Sequence, residues 1–174
     1  MEPLSDASVE AMVPLMTTNR LVPRLVPAPL WGLSGARLLP RAEWRQIRLD
    51  ALEAAAGACS VCGTARDKGM ICDEEWTYSG GVALLTSVRI ACPDCDAVTH
   101  IGSTGSRGYY AVARDHMARI DSITAIEADR LVEGQMAIWR QQSRQNWTID
   151  VAPALLERYP QLAILVGLVG KARR

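Results

Sequence analysis

Phenylalanine is missing from this chain of 174 residues, and histidine and lysine occur only twice each. With lysine so scarce, arginine supplies nearly all the positive charge, and 19 basic residues balance 19 acidic ones. Zero net charge excludes a protein that coats nucleic acid by bulk electrostatics, while leaving room for a local basic patch. Long apolar runs are missing too. The longest, residues 162–170, falls far short of the ~20 residues a membrane-spanning helix needs. The start, Met1-Glu2-Pro3-Leu4-Ser5-Asp6, has neither the basic residues nor the apolar stretch of a secretory signal. A cytoplasmic location and no membrane partner are therefore expected. No internal repeat is present. What remains is ordinary globular sequence: 49% apolar and 22% charged residues argue against wholesale disorder. The length suits one domain.

Cysteine carries the strongest signal. Of five, four form two Cys-x-x-Cys pairs, Cys59/Cys62 and Cys92/Cys95, with 29 residues between them. Two-residue spacing lets both thiolates of a pair face one ion, and two pairs complete a tetrahedral four-sulfur shell suited to zinc. Gly63 follows the first pair, where positive φ lets backbone amides approach the sulfurs. Two disulfides are the competing reading, disfavoured in a reducing compartment. A closed four-sulfur site leaves no position for water, so its zinc is structural and contributes to folding, on the order of 10 kcal/mol. Cys72, the odd one, reads as a small buried hydrophobe outside the shell.

Residues 1–30 hold Pro3, Pro14, Pro23, Pro27 and Pro29 without sustained periodicity, which predicts an extended arm. Leu15, Leu21, Val22, Leu25, Val26, Leu30 and Trp31 are its candidates for burial. Pro40 opens a helix over 41–56, with Trp44, Ile47, Ala51 and Ala55 at helical spacing and Gly57 as its stop. Arg41, Arg45 and Arg48 share one face of it. With Arg37 before them and Arg107 further on, they are candidate phosphate contacts, against the alternative of a solvated face. Residues 70–78 and 82–90 flank Ser79-Gly80-Gly81 and predict a β-hairpin, with Trp76 and Tyr78 as core residues or base-stacking platforms. Residues 101–108 hold three glycines and predict a loop. Helices are expected over 109–120, over 124–144 with capping-box spacing at Thr124 and Glu127, and over 152–159. Trp139 and Trp147 are expected to pack the C-terminal helices onto the hairpin.

The fold class expected is α+β. Its partition is an arm over 1–30, a zinc domain with flanking helices over 31–160, and an apolar and basic tail over 161–174. That tail is either a buried strand or helix, or an exposed interaction surface.

Along residues 28–157 the motifs come in a definite order. After the Cys59/Cys62 knuckle comes Cys72-Asp73-Glu74-Glu75-Trp76-Thr77-Tyr78, and then Cys92-Pro93-Asp94-Cys95-Asp96-Ala97-Val98-Thr99-His100-Ile101-Gly102. This order resembles HNH-type (ββα-metal, or His-Me finger) proteins of bacteria and phages. In those a knuckle is followed by Cys-His-Glu-x-Trp-x-Tyr and then Cys-x-x-Cys-His-x-x-x-His-x-Gly. Trp44, Trp139 and Trp147 also fall where such relatives carry tryptophan. The resemblance implies a zinc-stapled hairpin plus helix, a setting in phage or mobile-element biology, and nuclease chemistry built on a histidine base beside one divalent ion.

Two histidines of that pattern are replaced here, by Asp73 and Asp96. Imidazole, with a pKa of roughly 6.5, is neutral yet basic at pH 7, whereas a carboxylate near ~4 accepts a proton from water poorly. The base step is worth about 10²–10⁴-fold. The expectation is a zinc-binding, HNH-like module that is degenerate as a nuclease and binds a protein or a nucleic acid. The alternative is an active endonuclease, with Asp73, Glu74, Asp96 and His100 around Mg²⁺ or Mn²⁺ and His100 as base. A third reading is a structural component that docks through arm and tail. His100 also reads as a support for the zinc-site backbone, and His116 as an ordinary helix residue.

Overall fold

The structure is a computed structural model and describes residues 21–172. Residues 1–20 of the expected arm lie outside the described residues. From Leu21 the arm runs without regular structure to a 3-10 turn at Ala28–Leu30. A one-turn helix, α1 (Gly35–Leu38), precedes α2 (Arg41–Ala54). Pro40 caps α2, where its fixed φ suits a helix start. Ile47 and Ala51 bury the inner face, and the chain leaves through left-handed backbone at Ala56 and Gly57.

The hairpin forms as the sequence indicates. Strands β1 (Ile71–Ser79) and β2 (Val82–Ala91) are antiparallel, joined through Gly80 and Gly81 at φ of +56° and +79°. Two successive positive φ values match the twist of a tight hairpin turn. A register shift between Glu75 and Trp76 leaves Thr86 unpaired and marks a bulge in β2. The hairpin then runs straight into α3 (Pro93–Thr99), with Cys92 at the cap and Pro93 at the first helical position.

Residues 101–106, expected as loop, form a short helix, α4 (Ile101–Ser106). Burial overrides the weak helix propensity of its glycines, since Ile101 and Thr104 both point inward at 2% exposure. Next come α5 (Tyr110–Asp121) and α6 (Ala125–Gln142), the latter opened by a complete Thr124/Glu127 capping box. A strand not expected from the sequence follows, β3 (Trp147–Val151), which alternates buried and exposed and pairs in parallel with β2. Parallel neighbours need a long crossover, supplied here by α3 to α6. The chain closes with α7 (Pro153–Arg158), a 3-10 turn at Pro160–Leu165 and β4 (Val169–Gly170) against β3. The sheet order is β1-β2-β3-β4, and the molecule is α+β.

Two apolar clusters meet at this sheet. One joins Ile90, Cys92, Cys95 and Val98 to Met117 of α5, Ala128 of α6 and Leu21 of the arm. The other joins Leu85, Trp147 and Ile149 to Ile47 and to the tail residues Leu162 and Leu165, both fully buried. Tyr78 meets Trp147 edge to face, so Trp147 packs on the hairpin. Trp139 instead meets the arm, donating to the Val26 carbonyl at 3.0 Å and stacking with Trp31. Among the described residues no helix is long and apolar enough to cross a membrane.

Candidate metal centre and the adjoining cavity

Cys59 and Cys62 sit in the loop after α2, Cys92 ends the hairpin, and Cys95 lies in α3. Their four sulfurs lie within 4.8 Å of one another, with Cys62 and Cys92 at 3.8 Å. A tetrahedral shell with Zn–S bonds of ~2.3 Å sets its sulfurs about 3.8 Å apart, so the arrangement fits a metal ion of zinc's size. The first knuckle is folded by its own backbone. Gly63 N donates to the Cys59 carbonyl and Cys59 N to the Thr64 carbonyl, both at 2.9 Å, with Gly63 at φ +75°. Ser60 N donates to the Ile90 carbonyl, which fastens the knuckle to β2. All five cysteines are free thiols.

Burial opposes ionisation at Cys62, yet hydrogen bonds with the side chain and backbone of Thr64 bring its thiol down to about 6. Burial pushes Cys92 and Cys95 up; the other sulfurs push Cys95 further, while for Cys92 hydrogen bonds from Cys95 pull down and Cys59 and Cys62 push up. Four clustered thiolates thus need a cation among them, which is what a divalent ion supplies. Cys72 lies outside the cluster, its thiol pushed up to about 11 by burial and then by the charges of Glu74 and Asp73.

His116 belongs to this centre, which the sequence reading missed. Its Nε2 lies 3.3 Å from the Cys95 sulfur, while Arg119 approaches Nδ1 at 2.7 Å. A guanidinium only donates, so Nδ1 accepts and Nε2 carries the proton aimed at sulfur. Burial, then the Arg119 charge, lowers the imidazole pKa and favours this neutral ring. The one trace in the sequence is a His and an Arg one helical turn apart.

Asp73, Asp96 and His100 form a second cluster, their donor atoms within 4.8 Å of one another. Asp73 is 7% exposed and both its oxygens are engaged. Oδ1 lies 3.2 Å from His100 Nε2, and Oδ2 lies 3.1 Å from Arg89, its partner across the hairpin. His100 also faces Asp96 at 3.6 Å. Arg89 reaches Glu75 at 3.2 Å and donates to the Thr99 hydroxyl, and Arg24 of the arm pairs with Glu75. Burial works against the Asp73 carboxylate, but the hydrogen bond and charge of His100, together with Arg89, outweigh it and hold its pKa below the usual range. The same hydrogen bond, against burial, raises His100. Burial raises Asp96.

Glu74 stands apart from this trio. Neighbouring strand residues point to opposite faces. Its carboxylate accepts from the Ala36 amide at 3.2 Å and the Trp76 indole at 3.1 Å, and burial raises its pKa. Among the arginines, Arg37, Arg41 and Arg45 are exposed and pair with no carboxylate among the described residues. Arg48 donates to the Met70 carbonyl at 3.0 Å, and Arg107 to the Ser103 carbonyl at 3.2 Å.

Beside β1 lies a cavity of about 870 Å³, bounded by the arm, α1, α2, α4 and α6. Its lining includes Trp31, Trp44, Trp76, Trp139, Glu74 and His100. No known protein family, curated protein or solved structure matches this chain.

Proposed function

We propose that this chain is a zinc-stapled, HNH-like module that binds a partner and does not cut nucleic acid. One observation carries the reading: the guanidinium of Arg89 pairs with Asp73 Oδ2 at 3.1 Å, placing a fixed positive charge beside the carboxylate that a catalytic cation would use. A divalent ion there would face a fixed positive charge at close range, and displacing Arg89 would break its bonds to Asp73, Glu75 and Thr99. His100 Nε2 is engaged by Asp73, so that nitrogen is not free to take a proton from water. Supporting the scaffold half of the reading are the hairpin-then-helix order and the four-sulfur cluster. The exposed Arg37, Arg41 and Arg45 are where a phosphate backbone would rest, should the partner be nucleic acid.

A second reading, an Mg²⁺- or Mn²⁺-dependent endonuclease, is favoured by the convergence of Asp73, Asp96 and His100. Supercoiled plasmid incubated with the protein and Mg²⁺, Mn²⁺ or Ni²⁺ separates the two. No nicking is expected. Nicking that vanishes in Asp96→Ala would establish the endonuclease and overturn the binding reading.

A further inference from the structure

The cavity beside β1 gathers four of the chain's five tryptophans, while the fifth, Trp147, is buried in the core. Its floor is one face of a strand. Cys72, Glu74, Trp76 and Tyr78 are alternate residues of β1 and all line it. Trp44 comes from α2, and Trp31 and Trp139 stack at 6.3 Å and 19°. The indole N–H groups of Trp31 and Trp139 both donate to the Val26 carbonyl, and that of Trp76 donates to Glu74. With those donors spent inside the protein, what these rings offer a guest is aromatic surface.

The charges around the cavity are unequal in their compensation. Arg24 is paired with Glu75, and Asp73 with Arg89 and His100. Arg37 stands exposed at the edge. Glu74 accepts neutral hydrogen bonds from the Ala36 and Gly35 amides and the Trp76 indole but has no Arg, Lys or His in ion-pair reach among the described residues. Burial raises its pKa, with the Asp73 charge adding to the rise, and no cation offsets either among the described residues. The cavity therefore joins indole faces, the strongest side-chain partners for a cation, to one carboxylate without a cation.

We infer that this cavity binds an alkylated ammonium group, seated against the tryptophan rings with Glu74 as its counter-charge. The inference rests on the binding reading above and names its ligand chemistry. Alkylation matters because a quaternary head is weakly hydrated and needs no acceptor for N–H protons, which suits a wall of ring carbon. An anionic ligand would meet Glu74 head on. The volume lies within the ~300–1,000 Å³ range of small-molecule sites, so the head fits with its substituent.

Titration of the intact, metal-loaded protein by calorimetry and tryptophan fluorescence tests this, using choline, tetramethylammonium and the uncharged isostere 3,3-dimethylbutan-1-ol. The cations are expected to bind at least tenfold more tightly than the isostere, and Glu74→Gln to lose at least tenfold of choline affinity with unchanged circular dichroism. A trimethyl-lysine peptide beside its unmodified twin distinguishes a protein side chain from a free small molecule as the natural source. Equal binding of cation and isostere, or no binding of either, overturns the inference, and that comparison needs no variant. Plasmid nicking by a protein that still binds choline overturns only the non-catalytic reading. Absence of both nicking and cation binding overturns only this ligand assignment.

Discussion

Replacing Arg89 with Met probes the feature on which the non-catalytic reading turns. The Arg89 side chain is 11% exposed and that of Asp73 7%, so the pair is largely shielded from water. Breaking a buried pair by removing one partner costs about 3–5 kcal/mol, because the remaining charge is stranded. His100 stays within 3.2 Å of Asp73 and keeps part of the compensation, which places the expected loss near the lower end, about 3 kcal/mol. For a chain of this length that corresponds to a fall in Tm of roughly 6–12 °C. Urea unfolding of the metal-loaded protein should show a lower midpoint at unchanged slope. The double variant Arg89→Met/Asp73→Asn should recover much of the loss, with a coupling of about 1–3 kcal/mol. A cost below ~0.5 kcal/mol, the size of an exposed pair, or no coupling would refute the argument. Manganese binding followed by electron paramagnetic resonance gives a second readout. Arg89→Met should bind Mn²⁺ more tightly than the native chain, and equal affinity would show that the guanidinium does not guard the site.

His116→Ala removes the N–H aimed at Cys95 and is expected to weaken zinc affinity roughly 10–100-fold in chelator competition; an unchanged affinity would make the contact incidental. The raised His100 pKa makes its stabilisation complete below the unfolded value of ~6.5, and that stabilisation is lost as pH climbs through the folded value. The lowered Asp73 pKa contributes above ~4 and fades in acid. Urea midpoints between pH 6 and 9 should therefore decline in the native chain and decline less in His100→Asn, and equal slopes would contradict the pairing. In Gly170→Ala the new Cβ would sit 2.5 Å from the Pro29 carbonyl oxygen, so a loss of about 1–3 kcal/mol is expected, and a neutral result would mean that the arm does not lie against β4.

The parts of this molecule that were legible in sequence are those set by near neighbours. The two Cys-x-x-Cys spacings announce the sulfur cluster, Gly80-Gly81 announces the hairpin turn, and Thr124 with Glu127 announces the start of α6. The period of two sends Asp73 toward Arg89 and His100 and Glu74 toward Ala36 and Trp76, although both residues line the cavity beside β1. What depends on distant pairing was hidden. The alternation of Trp147, Ile149 and Val151 is visible, but its parallel partner β2 lies across four helices. The helix at Ile101–Ser106 is held by burial of Ile101 and Thr104, against the propensity of its glycines. Trp31, Trp44, Trp76 and Trp139 come from four separate elements, so nothing local shows that they share a cavity.

In the function proposed above, one zinc ion held by Cys59, Cys62, Cys92 and Cys95 joins the knuckle after α2 to the end of the hairpin. X-ray absorption at the zinc edge, on protein purified under reducing conditions, measures this directly. The expected result is one zinc per chain with four sulfur neighbours at ~2.3 Å. A shell containing nitrogen or oxygen, or a metal-free protein that stays fully folded in excess chelator, would contradict it.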